Sequence, residues 1–128
     1  MSLVDDDSDD HFFFKEALSD LQRDIEITTA FYGFEALTKL ESQALDYIFL
    51  DLNMPLMHGK EFLKTVKAEP KFQEIPVYIL STSTSEKEIV DSLSLGAASF
   101  FIKPLKIEQL CNILRFTILA DQPIYKPY

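Results

Sequence analysis

The chain predicts a doubly wound α/β sandwich, one parallel sheet covered by helices on both faces. Two observations lead there. Short apolar runs of strand length alternate five times with segments of helical spacing, and such alternation builds a parallel sheet through crossover helices. The apolar runs also stop abruptly at polar residues. The clearest is Tyr47-Ile48-Phe49-Leu50, which runs into Asp51 and is followed by Leu52-Asn53-Met54-Pro55. A carboxylate at that point falls where open α/β sheets place ligands and chemistry, outside the carboxyl ends of the strands.

The elements follow in order. Leu3-Val4 starts a first strand that ends at Asp5-Asp6-Asp7. Ser8 is placed to cap the next helix, with Asp9 and Asp10 favourable in its first turn. That helix runs to about Leu21 and gathers Phe14, Ala17, Leu18 and Leu21 on one face. Residues 25–30 alternate like a strand and Gly33 breaks them. Ala36, Leu37 and Leu40 then carry helical spacing as far as Ser42. The Asp51 strand is third. After Gly59, the residues Phe62, Leu63 and Val66 mark a helix that stops before Pro70, because proline disfavours helix in the residue before it. Residues 76–81 form a fourth strand ending at Ser81. A Ser/Thr-rich turn over 82–85 leads to a helix bearing Ile89, Val90 and Leu93, which Gly96 ends. Residues 98–102 are the fifth strand, closed by Lys103-Pro104, and residues 107–119 the last helix. The tail, 121–128, has two prolines and two tyrosines and reads as irregular. With right-handed crossovers, the commonest arrangement of this size is the flavodoxin-like (βα)5 order 2-1-3-4-5, whose crevice lies beside strands 1 and 3.

Composition narrows the function. The 128 residues suit one domain, and at 47% hydrophobic they supply a full core without staples. The only cysteine is Cys111, which rules out an intramolecular disulfide and a cysteine-built metal site and fits a reducing compartment. No apolar run approaches the roughly 18 residues of a membrane span, and Met1-Ser2-Leu3 leads into acidic residues rather than a secretory signal. A cytoplasmic protein that does not bind membrane is expected. The net charge of −9 argues against direct nucleic-acid binding, which rests on clustered Lys and Arg.

The polar strand ends converge. Asp5 and Asp6 end the first strand, Asp51 the third, Ser81 the fourth and Lys103 the fifth, so all five fall on one edge of the sheet. Close carboxylates repel and need a counter-charge. A hard divalent cation supplies it, and Mg2+ suits one or two carboxylates plus phosphate and water. Lys103 adds a point positive charge and Ser81 a hydroxyl. A metal, an ammonium and a hydroxyl around Asp51 are what a phosphoryl group requires, and aspartate is a known nucleophile through aspartyl-phosphate.

On these residues the chain resembles the receiver domain of two-component response regulators, of the stand-alone, chemotaxis-regulator-like kind. The matching pieces are Leu3-Val4-Asp5-Asp6-Asp7, residues 49–59 around Asp51, Ile79-Leu80-Ser81, and Phe100-Phe101-Ile102-Lys103-Pro104. Four such pieces in order make a specific pattern. The resemblance implies a receiver domain over residues 1–120, followed by the tail. It implies that Asp51 is the phosphoacceptor, served by a histidine kinase or phosphotransfer protein. Asp5, Asp6 and Asp51 would hold Mg2+ with the backbone carbonyl of Asn53. Ser81 would be the switch hydroxyl, Lys103 the phosphate-contacting lysine and Phe100 the aromatic switch. The fourth helix, fifth strand and fifth helix, residues 86–119, would meet a downstream protein target, as a monomer or a phosphorylation-dependent dimer. Such a protein is a phosphoacceptor that assists its own phosphotransfer and dephosphorylation rather than an enzyme with a separate substrate.

The chain departs from the family pattern in places. Only Leu3-Val4 precede the acid pair, so the first strand is short. Ser81 stands where Thr is commoner, Thr82 where a small residue is usual, restricting access to the phosphate, and Phe100 lacks the hydroxyl of Tyr. The other conspicuous residues read as structural. Asp7, Asp9 and Asp10 suit the helix N-terminus, His11 and His58 a solvated surface, and Cys111 inert core. One ring of Phe12-Phe13-Phe14 is left half exposed. Two other functions compete. An aspartate-nucleophile phosphatase would use Asp5-Asp6-Asp7 as an Asp-x-Asp pair, and a phosphate-independent interaction module would use none of these groups. A flavin carrier lacks its phosphate loop after the first strand.

Overall fold

The structure, a computed structural model, describes residues 1–5, 7–20, 28–42, 45–52, 58–103 and 106–119. The elements are β1 (Ser2–Val4), α1 (Ser8–Asp20), β2 (Thr28–Ala30), α2 (Gly33–Ser42), β3 (Ile48–Asp51), α3 (Gly59–Ala68), β4 (Val77–Ser81), α4 (Glu86–Ser94), β5 (Ser99–Ile102) and α5 (Ile107–Leu119). The five strands pair in parallel in the order β2-β1-β3-β4-β5. This is the flavodoxin-like topology expected from the alternation.

Pleating divides the apolar residues between two layers. Val4, Ile48, Leu50, Val77 and Ile79 face Ala36 and Leu40 of α2 and Phe62, Leu63 and Val66 of α3. Leu3, Phe49 and Leu80 face Phe14, Ala17 and Leu18 of α1 and Leu110, Cys111 and Leu114 of α5. Phe49 is fully buried, between the edge of Phe14 at 5.0 Å and the stacked ring of Tyr78 at 5.1 Å. Truncating such a ring costs about 3–5 kcal/mol. Cys111 lies in this layer with Sγ 3.7 Å from the Ala17 carbonyl, as its apolar surroundings predict.

Several local expectations are corrected. β1 begins at Ser2, and Met1 joins the core, so the strand is short but buried along its length. Asp7, not Ser8, caps α1: Ser8 is already helical, and the Asp9 N–H donates to Asp7 Oδ1 at 2.9 Å. Both Phe12 and Phe13 are exposed and only Phe14 is buried. In α4, Val90 and Leu93 are exposed, and the fully buried side chain is Ser92, whose hydroxyl donates back to the Glu88 carbonyl. Leu21, residues 25–27 of the expected second strand, Pro104 and the tail lie outside the described residues. Gly96, at φ 110°, ends α4 in the left-handed region that favours glycine.

Candidate functional site

Register brings the chemistry to one edge. Val4 pairs with Leu50, so Asp5 and Asp51 leave β1 and β3 at the same level. Asp51 pairs with Leu80 and Ser81 with Ile102, so Ser81 and Lys103 emerge beside them. The Lys103 N–H donates to the Ser81 carbonyl at 2.7 Å, which ties the end of β5 to the end of β4. Asp5 and Ser81 are fully buried and Asp51 nearly so.

Lys103 organises the pocket. Its Nζ donates to Asp5 Oδ2 at 2.8 Å and to Asp10 Oδ2 at 2.7 Å, and lies 4.0 Å from Asp51 Oδ1. Burial alone would lower the pKa of this ammonium. The bonds to Asp10 and Asp5 and the charges of Asp5 and Asp51 outweigh burial and hold it above the ordinary lysine range. Burial acts the other way on Asp5 and raises its pKa, although Lys103 and the Asp7 N–H, which donates to Oδ1 at 3.0 Å, both favour its charged form.

Three carboxylates therefore share one ammonium, and the cluster keeps an excess of negative charge. Its donors are hard oxygens, a set that suits a hard divalent cation. Among the described residues no three His, Cys, Asp or Glu side chains form a ready metal group. Asp6 and Asn53, the other expected ligands, lie outside the described residues.

Ser81 Oγ accepts the Ser83 N–H at 3.2 Å, which turns the chain back after β4. Thr82 is exposed beside it. Phe100 is half-buried against the layer containing α2 and α3. Gly59 supports the site from behind. Its N–H donates to the Leu52 carbonyl at 2.8 Å, and a Cβ there would meet Leu52 Cα at 2.5 Å and the Asp51 carbonyl oxygen at 2.7 Å.

Two residues read as structural surface groups in the sequence belong to this pocket. Asp10 sits in the first turn of α1 and still reaches Lys103. His11 is buried rather than solvated: its Nε2–H donates to the Asp5 carbonyl at 2.7 Å, and its ring stacks on Phe31 at 4.3 Å. A signal was available for both. The link between Val4 and α1 is so short that the first turn of α1 must rise from the same sheet edge. His58 does remain exposed, where its Nδ1 caps α3 by accepting the Lys60 N–H.

A family model for the response regulator receiver domain matches residues 1–115. The chain belongs to that family. Chemotaxis protein CheY1 of Helicobacter pylori is 33% identical over 103 residues, which are 80% of this chain and 82% of that protein. Among solved structures, the Mn2+-bound form of response regulator Rcp1 superposes with a TM-score of 0.86 at 26% identity, covering 99% of this chain and 97% of Rcp1. The phosphorylated cyanobacterial phytochrome response regulator RcpA gives 0.83 at 30% identity, with 94% of each chain covered. The receiver domain is thus a CheY-like signalling module of the two-component type. Among its described residues no helix is long and apolar enough to cross a membrane.

Proposed function

We infer that this receiver domain accepts a phosphoryl group on Asp51 from a histidine kinase or phosphotransfer protein and controls a binding surface by doing so. The observation that carries the reading is the meeting of Asp5, Asp51 and Lys103 Nζ, from three separate strand ends, in one buried pocket.

The chemistry follows from the residues. An Asp51 carboxylate oxygen attacks phosphorus, and the P–N bond of a phosphohistidine breaks, its electron pair leaving with the imidazole. Asp5, Asp6 and Asp51 with the Asn53 carbonyl would hold Mg2+, which when bound neutralises charge on the phosphoryl oxygens. Lys103 remains cationic because its carboxylate partners hold its pKa up, and it stabilises a phosphoryl oxygen as a point charge. The Ser81 hydroxyl donates to another. Only bonds absent from the free protein can shift a two-state equilibrium, so the Ser81 and Lys103 contacts to phosphate are the ones that transmit the signal, with Phe100 as the responding ring. Val90, Leu93, Ile102 and Phe116 are exposed apolar residues of α4, β5 and α5, and they suit a downstream protein target.

The phosphatase reading is disfavoured by Asp7. Its side chain is exposed and its carboxylate caps α1, so it is not aimed at a substrate beside Asp5. The test is incubation with acetyl phosphate or berylliofluoride, with and without Mg2+. A Mg2+-dependent adduct that disappears in Asp51→Asn is expected. No adduct at any Mg2+ concentration would favour the phosphate-independent module, and ester turnover lost in Asp5→Asn but kept in Asp51→Asn would favour the phosphatase.

A further inference from the structure

Asp10 has no part in the reading above, yet it makes the shortest contact to the pocket's cation. Asp10 Oδ2 accepts from Lys103 Nζ at 2.7 Å, Asp5 Oδ2 accepts at 2.8 Å, and Asp51 Oδ1 stands off at 4.0 Å. The two closer carboxylates hold the ammonium on the α1 side of the pocket. Asp10 is anchored in the first turn of α1, whose N-terminus Asp7 caps.

We propose that Asp10 is a positioning residue that restrains Lys103 in the resting state and competes with the group on Asp51 for it. The idea rests on Asp51 being the phosphoacceptor. An ammonium has three protons and a directional demand for acceptors. Two of its protons are committed to Asp5 and Asp10, and these bonds hold Nζ 4.0 Å from Asp51 Oδ1, so a phosphoryl oxygen that draws the third proton toward Asp51 stretches at least one of them. Asp5 is fully buried, and on losing Lys103 it would keep the Asp7 N–H but give up the cation on its other oxygen with no water to replace it. Asp10 is about a third exposed, so water replaces its partner when it is released. The Asp10 bond is therefore the one that yields, and its strength opposes occupation of Asp51.

The experiment titrates berylliofluoride into wild type, Asp10→Asn, Asp10→Glu and Asp9→Asn, each at a Mg2+ concentration saturating for that protein, with thermal unfolding to verify folding. Asp9 is the control: it lies in the same helical turn and is exposed. An effect of charge in general would appear in both neutral variants. A grip on Lys103 should appear only in Asp10→Asn. The half-saturating berylliofluoride concentration should fall about five-fold in Asp10→Asn, the upper range for a partly exposed ion pair, stay near wild type in Asp9→Asn, and return toward wild type in Asp10→Glu. A change below about two-fold in Asp10→Asn, or an equal gain in Asp9→Asn, overturns the proposal while leaving Asp51 as phosphoacceptor. If Asp10→Asn does not fold, Asp10→Ser takes its place under the same criteria. Failure of the wild type itself to form an adduct overturns the parent reading and this one with it.

Discussion

Gly59→Ala tests how tightly the backbone behind Asp51 is set. The new Cβ would lie 2.5 Å from Leu52 Cα and 2.7 Å from the Asp51 carbonyl oxygen, both backbone atoms that cannot rotate away. Ordinary contact begins near 3.4 Å, so α3 and the Asp51–Leu52 peptide must part by about 0.9 Å. Overpacking of this kind costs about 1–3 kcal/mol. For a domain of this size that lowers the melting temperature by about 4–12 °C. The same displacement moves the Asp51 carboxylate, and for the phosphoacceptor role proposed above a misplacement near 1 Å costs on the order of 100-fold in rate. Scanning fluorimetry and the rate of adduct formation from acetyl phosphate read the two effects. Gly96→Ala is the comparison, since its strain comes from φ 110° at the far end of α4; it should destabilise without slowing the reaction. A Gly59→Ala protein with wild-type melting and wild-type rate would show that the close approach sets nothing.

The pH dependence of stability follows from Asp5. Burial raises its pKa in the folded state, so the folded protein favours the protonated acid. The associated stability is present below the ordinary carboxylate pKa and is lost as pH rises through the raised value. Metal-free wild type should therefore lose stability relative to Asp5→Asn as pH rises above the ordinary carboxylate range, as read by paired melting curves; a wild type that gains stability relative to Asp5→Asn over that rise contradicts the desolvation account. His11→Ala leaves the buried Asp5 carbonyl without its 2.7 Å donor and Phe31 without its stacked ring. Denaturant titration should show a loss of about 1–3 kcal/mol, and an unchanged midpoint would mean that water serves the carbonyl equally well.

The sheet was legible because each strand is announced twice, by its apolar run and by the break after it. Leu50 to Asp51, Leu80 to Ser81 and Ile102 to Lys103 are all such breaks, and parallel register does the rest. Contacts on which local and distant forces compete were not legible. Asp10 has a sufficient local reason to sit at a helix N-terminus, and nothing near it in the chain points to a lysine 93 residues away. His11 carries a polar ring that ordinarily faces water, and its burial follows only once Phe31 and the Asp5 carbonyl converge on it. Val90 and Leu93 mislead in the opposite sense: their spacing is that of a buried face, but α4 seats itself through Ser92 and half-buried Ile89.

That shallow seating has a consequence for how the molecule opens. Helix α4 buries little apolar area, and its tie to α3 runs through Asp91, which is shared between Lys60 at 3.4 Å and Lys87 at 3.3 Å. Salt bridges so exposed contribute little. Segments with few buried contacts exchange their amide protons through local openings that cost far less than global unfolding. The helix can then fray and re-form while Phe49, Phe62 and Leu114 stay packed, and the domain has a part that can be remodelled without dismantling the sheet that carries Asp51.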